Sequence, residues 1–363
     1  MTPRPYRIFA VASALSLIAA VPAAGQGFTV STPDSSARIT FGGRVQTIFN
    51  TTSVDDHPAT QTELRRVRLE ASLHLGRLVS GKIQPDFAGS RVTLKDAYVR
   101  LNFDPALQVW AGQAHRPTGV ISPYSTVRLT PVEKGVRIRG ADGAFDEQNL
   151  LQELGYSDRD VGLQVRGEPR GAPLGLSYAA GFFNGPARAE APRENTWQGV
   201  ARLAVHPVSW LRVGASYSRI HFVNAMDDVA ALEVREGAAW VADVELGRAG
   251  GGPRAVAEVT RGDFDPFAGA EFFGAHGWLA YRTGRLSSTV AAVEPFVRVS
   301  YGDPDVDDVI PAQATDAVGG TLLTPGINLW LGGLNRLAVN YEVWSPERGA
   351  NARSFKAMFQ MAF

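Results

Sequence analysis

Arg353 to Phe363 reads RSFKAMFQMAF, and its every-other-residue rhythm decides the fold. Phe355, Ala357, Phe359, Met361 and Phe363 are apolar, while Ser354, Lys356 and Gln360 fall on the opposite face. The period of two belongs to a β-strand with one greasy and one wet side. Leu337, Val339, Tyr341 and Val343 repeat it against Arg336, Asn340 and Glu342. A soluble sandwich strand would match over one such segment, but it would not normally close on an exposed aromatic.

Working outward from that end, segments of the same kind recur back to Arg38. Turn signals divide them into strands near 38–50, 63–75, 81–88, 93–103, 107–115, 158–168, 174–183, 196–206, 210–221, 238–247, 254–262, 271–283, 288–301, 315–331, 335–344 and 353–363. About 16 strands of this length predict an all-β fold, a transmembrane antiparallel β-barrel wide enough for an aqueous lumen. Tight links at Asp104-Pro105, His206 to Ser209 and Gly332 to Leu334 should share one end of the barrel, with longer polar links at the other. The longest, about Arg116 to Ser157, follows the fifth strand and is the candidate for a loop folded into the lumen to constrict it. Pro85, Pro295 and Pro325 fall inside these segments, where bulges or shifted boundaries are expected. Phe49, Phe87, Phe103, Trp197, Trp210, Tyr217, Phe272, Tyr281, Tyr301 and Tyr341 stand at segment ends, placed for interfacial girdles or for ordinary core packing.

Composition fits this reading without choosing it. Apolar residues make up 45% and charged ones 20%; the mean hydropathy of −0.08 excludes a helical-bundle membrane protein. Cys is absent, which removes disulfides, thiolate nucleophiles and thiolate metal sites. Formal charge is zero, so bulk nucleic-acid binding is not expected. Residues 1–25 carry an export grammar: basic Arg4 and Arg7, an apolar run from Ile8 to Val21, then small Ala23, Ala24 and Gly25. The expected organisation is a signal peptide over 1–25 and a barrel domain over 26–363.

Five blocks carry a family likeness: LRRVRLEASLHLGRL from Leu64, SGKIQPDFAG from Ser80, LKDAYVRLNF from Leu94, VWAGQAHRPTGV from Val109 and DRDVGLQVRG from Asp158. In order and spacing they resemble the phosphate-selective porin O and P family of the bacterial outer membrane. That resemblance implies a trimeric 16-stranded barrel carrying anions. Only the barrel and the general pore role carry over. Pro85 stands where the family has an aromatic, and PVEKG at 131–135 departs from its loop text.

Strand parity then assigns the wet wall. If Val67, Leu69, Ala71, Leu73 and Leu75 meet lipid, Arg66, Arg68, Glu70, Ser72 and His74 face water, as do Lys82, Gln84, Asp86, Asp96, Arg100 and Asn102. Between Gln61 and Gly140, 13 Lys or Arg stand against 6 Asp or Glu, so positive charge concentrates beside and within the candidate loop. Arg116, Arg128, Lys134, Arg137 and Arg139 belong to that loop and oppose Arg66, Arg68, Lys82 and Arg100. In a narrow lumen this cluster would attract anions. Alternatively, the same cations pair with Glu70, Asp86, Asp96 and Glu133 and stiffen the wall.

The expected function is passive diffusion of small hydrophilic, preferentially anionic solutes, without cofactor or metal. Expected partners are outer-membrane lipid and lipopolysaccharide, those solutes, and two further copies in a homotrimer. A general or carbohydrate-accepting pore is the alternative, then an outer-membrane enzyme or a periplasmic all-β binding protein. No G-x-S-x-G, H-E-x-x-H or phosphate-cradling glycine loop occurs, and the six histidines are scattered. Asp303, Asp305 and Asp307 have part of a calcium-loop spacing but lack its glycine and distal glutamate.

Overall fold

A computed structural model describes residues 27–135, 150–185, 196–224, 233–247, 251–265, 270–305 and 318–363. Its strands are β1 (Phe28–Ser31), β2 (Ala37–Val54), β3 (His57–Leu75), β4 (Val79–Asp86), β5 (Thr93–Asp104), β6 (Leu107–His115), β7 (Arg159–Gly167), β8 (Ser177–Phe183), β9 (Trp197–Val208), β10 (Leu211–Asn224), β11 (Glu233–Gly247), β12 (Gly252–Asp265), β13 (Ala270–Arg282), β14 (Ala292–Asp305), β15 (Gly320–Gly332), β16 (Asn335–Pro346) and β17 (Ala352–Ala362). From β2 to β17 each strand pairs antiparallel with the next, and β17 returns to β2 with Ala352 opposite Val54 and Ala362 opposite Arg44. Sixteen strands therefore close into a ring, as the alternation predicts. Closure leaves no row of unpaired backbone groups at an edge.

The residue pattern explains why the ring is inside out relative to a soluble domain. Along β17, Phe355, Phe359 and Met361 are exposed outward while Ser354, Lys356 and Gln360 are buried inward. Around the barrel Leu69, Ile83, Val99, Leu163, Leu203, Trp240, Leu279 and Val299 stand outside, against Arg68, Gln84, Asp96, Gln164, Arg202, Asp243, Arg298 and Ser300 within. An apolar belt of this extent exceeds anything a monomeric soluble protein leaves in water. In hydrocarbon each such side chain gains on the order of 1.5–3 kcal/mol. Nine of the ten aromatics at segment ends are on this outer surface: Phe49, Phe87, Phe103, Trp210, Tyr281 and Tyr341 are exposed there, and Trp197, Tyr217 and Tyr301 are half-buried against the outer rings of Phe182, Trp240 and Phe273. Phe272 is not: it is 1% exposed and packs inward on Leu150, Leu151 and Tyr156.

Short connections gather at one end, as between β5 and β6 or β9 and β10, and the long ones at the other. Three links depart from that rule: 168–176 and 283–291, nine residues each, lie at the end of the short turns, and the third is a tight turn at the opposite end. The segment 51–62, expected as a loop, continues both strands to a two-residue turn at Asp55 and Asp56, with φ of 48° and 62°. Two positive φ values give the twist of a tight hairpin, which Asp tolerates. Thr51 and Thr60 share a hydrogen bond of 3.1 Å across it.

The three prolines are accommodated differently. At Pro85 the β4–β5 register shifts, the expected bulge. Pro295 and Pro325 keep their register: Pro295 lies past the last β13–β14 pair, Ala280 with Phe296, and Pro325 sits in a gap of the β15–β16 ladder. Each therefore sits where its missing N–H leaves no partner stranded.

Beyond the sixteen, β1 is a strap that pairs with Arg38–Phe41 of β2 below the end of β17. Phe28 stacks on Phe41 with centroids 4.9 Å apart. Above it Gly43 and Phe363 exchange backbone hydrogen bonds, and a Cβ on Gly43 would come within 2.7 Å of the Phe363 ring. Only glycine lets the last aromatic lie across the seam.

Candidate solute pathway

The connection after β6 enters the barrel and lies against one side of it. Its backbone supplies the contacts. The Val120 and Ile121 amides donate to the Glu258 carboxylate at 2.8 and 3.1 Å, and the Gly119 amide to Ser216 at 2.9 Å. Further along, the loop's carbonyls accept: Val127 from Gln360, Thr130 from Asn328 and Arg336, and Glu133 from Arg298. Apolar patches fill the spaces between, with Val120, Ile121 and Leu129 on Val256 and Trp278, and Val132 on Ile48, Ala338 and Met358. The half of the barrel from β10 through β17 to β2 is thus plugged.

Glu133 ties the loop to the neighbouring strand by a device that parity misses. The β2–β3 register shifts by one between Gln46 and Thr47, which makes Arg65 an extra residue. A bulge re-aims its side chain. Arg65 and Arg66, adjacent in sequence, both reach Glu133 at 3.0 Å.

What stays open is bounded by β2 to β7 on one side and the loop's Pro123–Thr126 and Lys134 on the other. Two cavities of about 290 and 360 Å³ occupy this space and share Trp110, Pro123 and Arg166 in their walls. The first includes Lys95 and Arg159 near the long-loop end; the second reaches Glu168 and Arg212 near the short-turn end. Together they trace a path along the axis, and their walls carry ten Lys or Arg against three Asp or Glu.

The predicted cations divide between path and plug. Arg68 and Lys82 line the upper cavity and Arg100 the lower one. Arg68 is paired with Asp86 at 2.6 Å, and Lys82 with Glu70 at 2.9 Å. Lys134 also lines the upper cavity and donates to the Ser122 carbonyl. Arg66 is fully buried beneath the loop, and Arg116 is 4% exposed, bonded to Gln198 and the Ser157 carbonyl. Arg128 is exposed and lines neither cavity. Arg137 and Arg139 lie outside the described residues.

The path also holds guanidinium groups that sequence reasoning passed over. Arg44 reaches the loop at Thr126 Oγ1, 2.9 Å, and Arg166 donates to Gln164 at 2.8 Å and the His115 carbonyl at 2.9 Å. Arg100 donates to Ser80 at 2.8 Å. Together with Arg212, these four have no carboxylate within salt-bridge range among the described residues. Arg44 and Arg166 could have been found, since they sit two positions from Gln46 and Gln164 on the wet face. Across from them, Tyr124 of the loop accepts from Arg254 at 3.0 Å and donates to Glu245 at 3.4 Å. Burial raises its phenol above the ordinary range, with Arg254 opposing, so it stays neutral.

No family model matches the chain, and no curated protein matches it in sequence. Solved structures do match in shape. OmpF of Salmonella typhi, in complex with daunomycin, superposes with a TM-score of 0.60 at 10% identity, over 92% of this chain and all of that one. The fold is the porin barrel. An anion-selective porin from Comamonas acidovorans gives 0.59 at 12% identity, over 90% of this chain and all of that one. OprB of Pseudomonas putida gives 0.58 at 10%, over 91% and 95%. A trimer form of OmpT, an outer membrane protein of Vibrio cholerae, gives 0.55 at 10%, over 90% and 100%.

Proposed function

We propose that this protein is a channel of the bacterial outer membrane through which small anions diffuse passively. The observation that carries the reading is the file of acid-free arginines, Arg44, Arg166, Arg100 and Arg212, along the open path. A cation already bound to a carboxylate adds little field at a distance. One held only by neutral oxygens projects its full charge into a lumen walled by low-dielectric protein and lipid.

In this reading residues 1–25 direct export, the apolar belt meets lipid and lipopolysaccharide, and the long-loop end faces outward. Inorganic phosphate is one of the small anions admitted. A homotrimer with three separate lumens suits the barrel; the trimeric OmpT form is a precedent for the fold. No chemical step is required of any residue, so the protein is read as a channel rather than an enzyme.

Reversal potentials in planar bilayers under a KCl gradient test this directly. Chloride should carry the larger share of the current. A potassium-dominated reversal potential would remove the anion reading. The stack of Tyr98 on Trp110 in the same path favours a second reading, a general or carbohydrate-accepting pore. Weak selectivity together with saturable sugar flux would establish it. Recovery of the protein from osmotic-shock fluid, without detergent and without heat-modifiable mobility, would overturn both.

A further inference from the structure

We infer that the narrow part of the path is a binding site for aromatic carboxylates, planar rings bearing one acid group; the inference rests on the anion reading above. Arginines and aromatics occupy the same height of the lumen. Trp110, shared by both cavities, stacks on Tyr98 with centroids 4.6 Å apart and 22° between planes. The Arg166 guanidinium carbon stands 4.6 Å from the Trp110 ring centre, and that of Arg100 5.3 Å.

The register builds this group from three strands. Arg100 on β5 pairs directly with Trp110 on β6, and Trp110 pairs with Gln164 on β7, two residues from Arg166. The loop contributes Pro123 and Tyr124 to the wall of the same upper cavity. Tyr124 is braced edge-on against Trp278 at 6.0 Å, so it is a fixed flat surface.

This combination discriminates among anions by shape. A bare inorganic anion uses only the guanidinium groups. A sugar acid uses them too, but its puckered, hydroxyl-rimmed ring can set only C–H groups on Tyr98 or Trp110 and offers no π face of its own. An aromatic carboxylate uses both: its acid group takes a guanidinium fork, and its ring lies on the aromatic or guanidinium planes. Arg166 and Arg100 are suited to this because no carboxylate of the protein occupies them, and their flat faces are already oriented by Trp110.

Purified full-length protein in planar bilayers tests the site with four sodium salts as probes: benzoate, cyclohexanecarboxylate, glucuronate and acetate. Each is titrated against chloride current, and block and permeability ratio are read together. Benzoate should interrupt the current at concentrations about five-fold lower than cyclohexanecarboxylate, which matches it in charge and approximate size but is not planar. In Trp110→Leu the two acids should become equal. Equal effects of benzoate and cyclohexanecarboxylate on the unaltered protein would overturn the inference and leave the anion reading standing. So would stronger effects of glucuronate. A potassium-selective channel would overturn both. The comparison of probes on the unaltered protein decides the matter even if the Trp110 variant does not fold.

Discussion

The two halves of the barrel interior solve opposite problems with the same residue types. From β11 round to β17, polar side chains face a loop, and most of the interior charges are matched. Glu294 holds Arg254 and Arg282 at 3.2 and 3.1 Å, and Arg298 and Lys356 share Glu342 at 3.0 and 2.9 Å. From β3 to β7 the wall faces an open cavity. There Arg100 and Arg166 rest on neutral oxygens and on a tryptophan ring. Burial is the cause of the difference: a charge without water needs a partner, whereas one beside a wet lumen can remain unpaired. What is structure in one half is left available for solutes in the other.

The contrast is most severely tested at Glu133. Replacing it with Ala removes the carboxylate that Arg65 and Arg66 share under the loop and leaves Arg65 to Glu63 at 3.4 Å; the buried Arg66 pair is the one broken, a loss of about 3–5 kcal/mol. The loop should then leave the wall, raising single-channel conductance and lowering the temperature at which the folded band disappears on gels. Conductance at the original level would mean that the apolar contacts of Val120, Ile121 and Val132 hold the plug alone.

Charge reversal in the open half should act on selectivity instead. Arg44→Glu combined with Arg166→Glu is expected to lower the chloride-to-potassium permeability ratio by roughly ten-fold, with little change in thermal stability, because neither residue anchors a carboxylate. An unchanged ratio would remove the arginine file from the mechanism. Arg128→Glu, at an exposed position outside both cavities, should shift the ratio less in the same recording.

A matching change on the plugged side sharpens the comparison. Arg336 is fully buried and bonds to the Thr130 carbonyl and to Asn328, each at 3.3 Å. Arg336→Met should leave the permeability ratio within about 0.5 kcal/mol of the original, since a charge sealed behind protein is remote from the permeating ion. A large drop would place Arg336 in contact with the path.

The smallest effect is expected outside both halves, at the strap. The Asp34 carboxyl accepts from Thr32 at 2.6 Å and from the Ser36 hydroxyl at 2.8 Å, and these bonds lower its pKa to about 2. A carboxylate stabilised in the folded state favours that state above its ordinary pKa near 3.8, and the preference disappears as pH falls through about 2. Protection of residues 28–31 against hydrogen exchange, relative to the unstructured chain at the same pH, should therefore fall between pH 4 and 2, while in Asp34→Ala it should already be low at pH 4. Identical exchange in the two proteins across that window would exclude the role.

Much of the barrel was legible because a period of two leaves a trace on every strand. All sixteen strands and their order follow from alternation and turn chemistry, which also show the length and place of the connection after His115; that it folds inward is expected from the habit of porins. The interior wall followed where parity is unbroken, as at Arg68, Gln84 and Asp96. It failed where the chain slips by one. By parity Arg65 belongs outside, and only the bulge, which no local signal announces, brings it in beside Arg66. The hairpin at Asp55-Asp56 was missed for a related reason: a run rich in Thr and Asp reads as loop until its strands are seen to pair. Which cations would keep their charge free could not be read at all. That depends on which carboxylates the closed ring brings across from other strands, as with Arg68 and Asp86 against Arg166 and a tryptophan.

The seam between β17 and β2 carries a consequence for assembly. Gln46 and Gln360 share a hydrogen bond of 2.6 Å across 314 positions of chain. Every other neighbouring pair of strands can zip as a local hairpin or across the one long infolded connection, but this contact must wait until both ends of the sheet have been laid down. Until then the growing sheet exposes two adhesive borders in its entire length, a state prone to joining other molecules and slow to leave because the last step gathers such distant segments. The clasp that makes the finished cylinder so hard to open is also the step at which its making is most exposed to error.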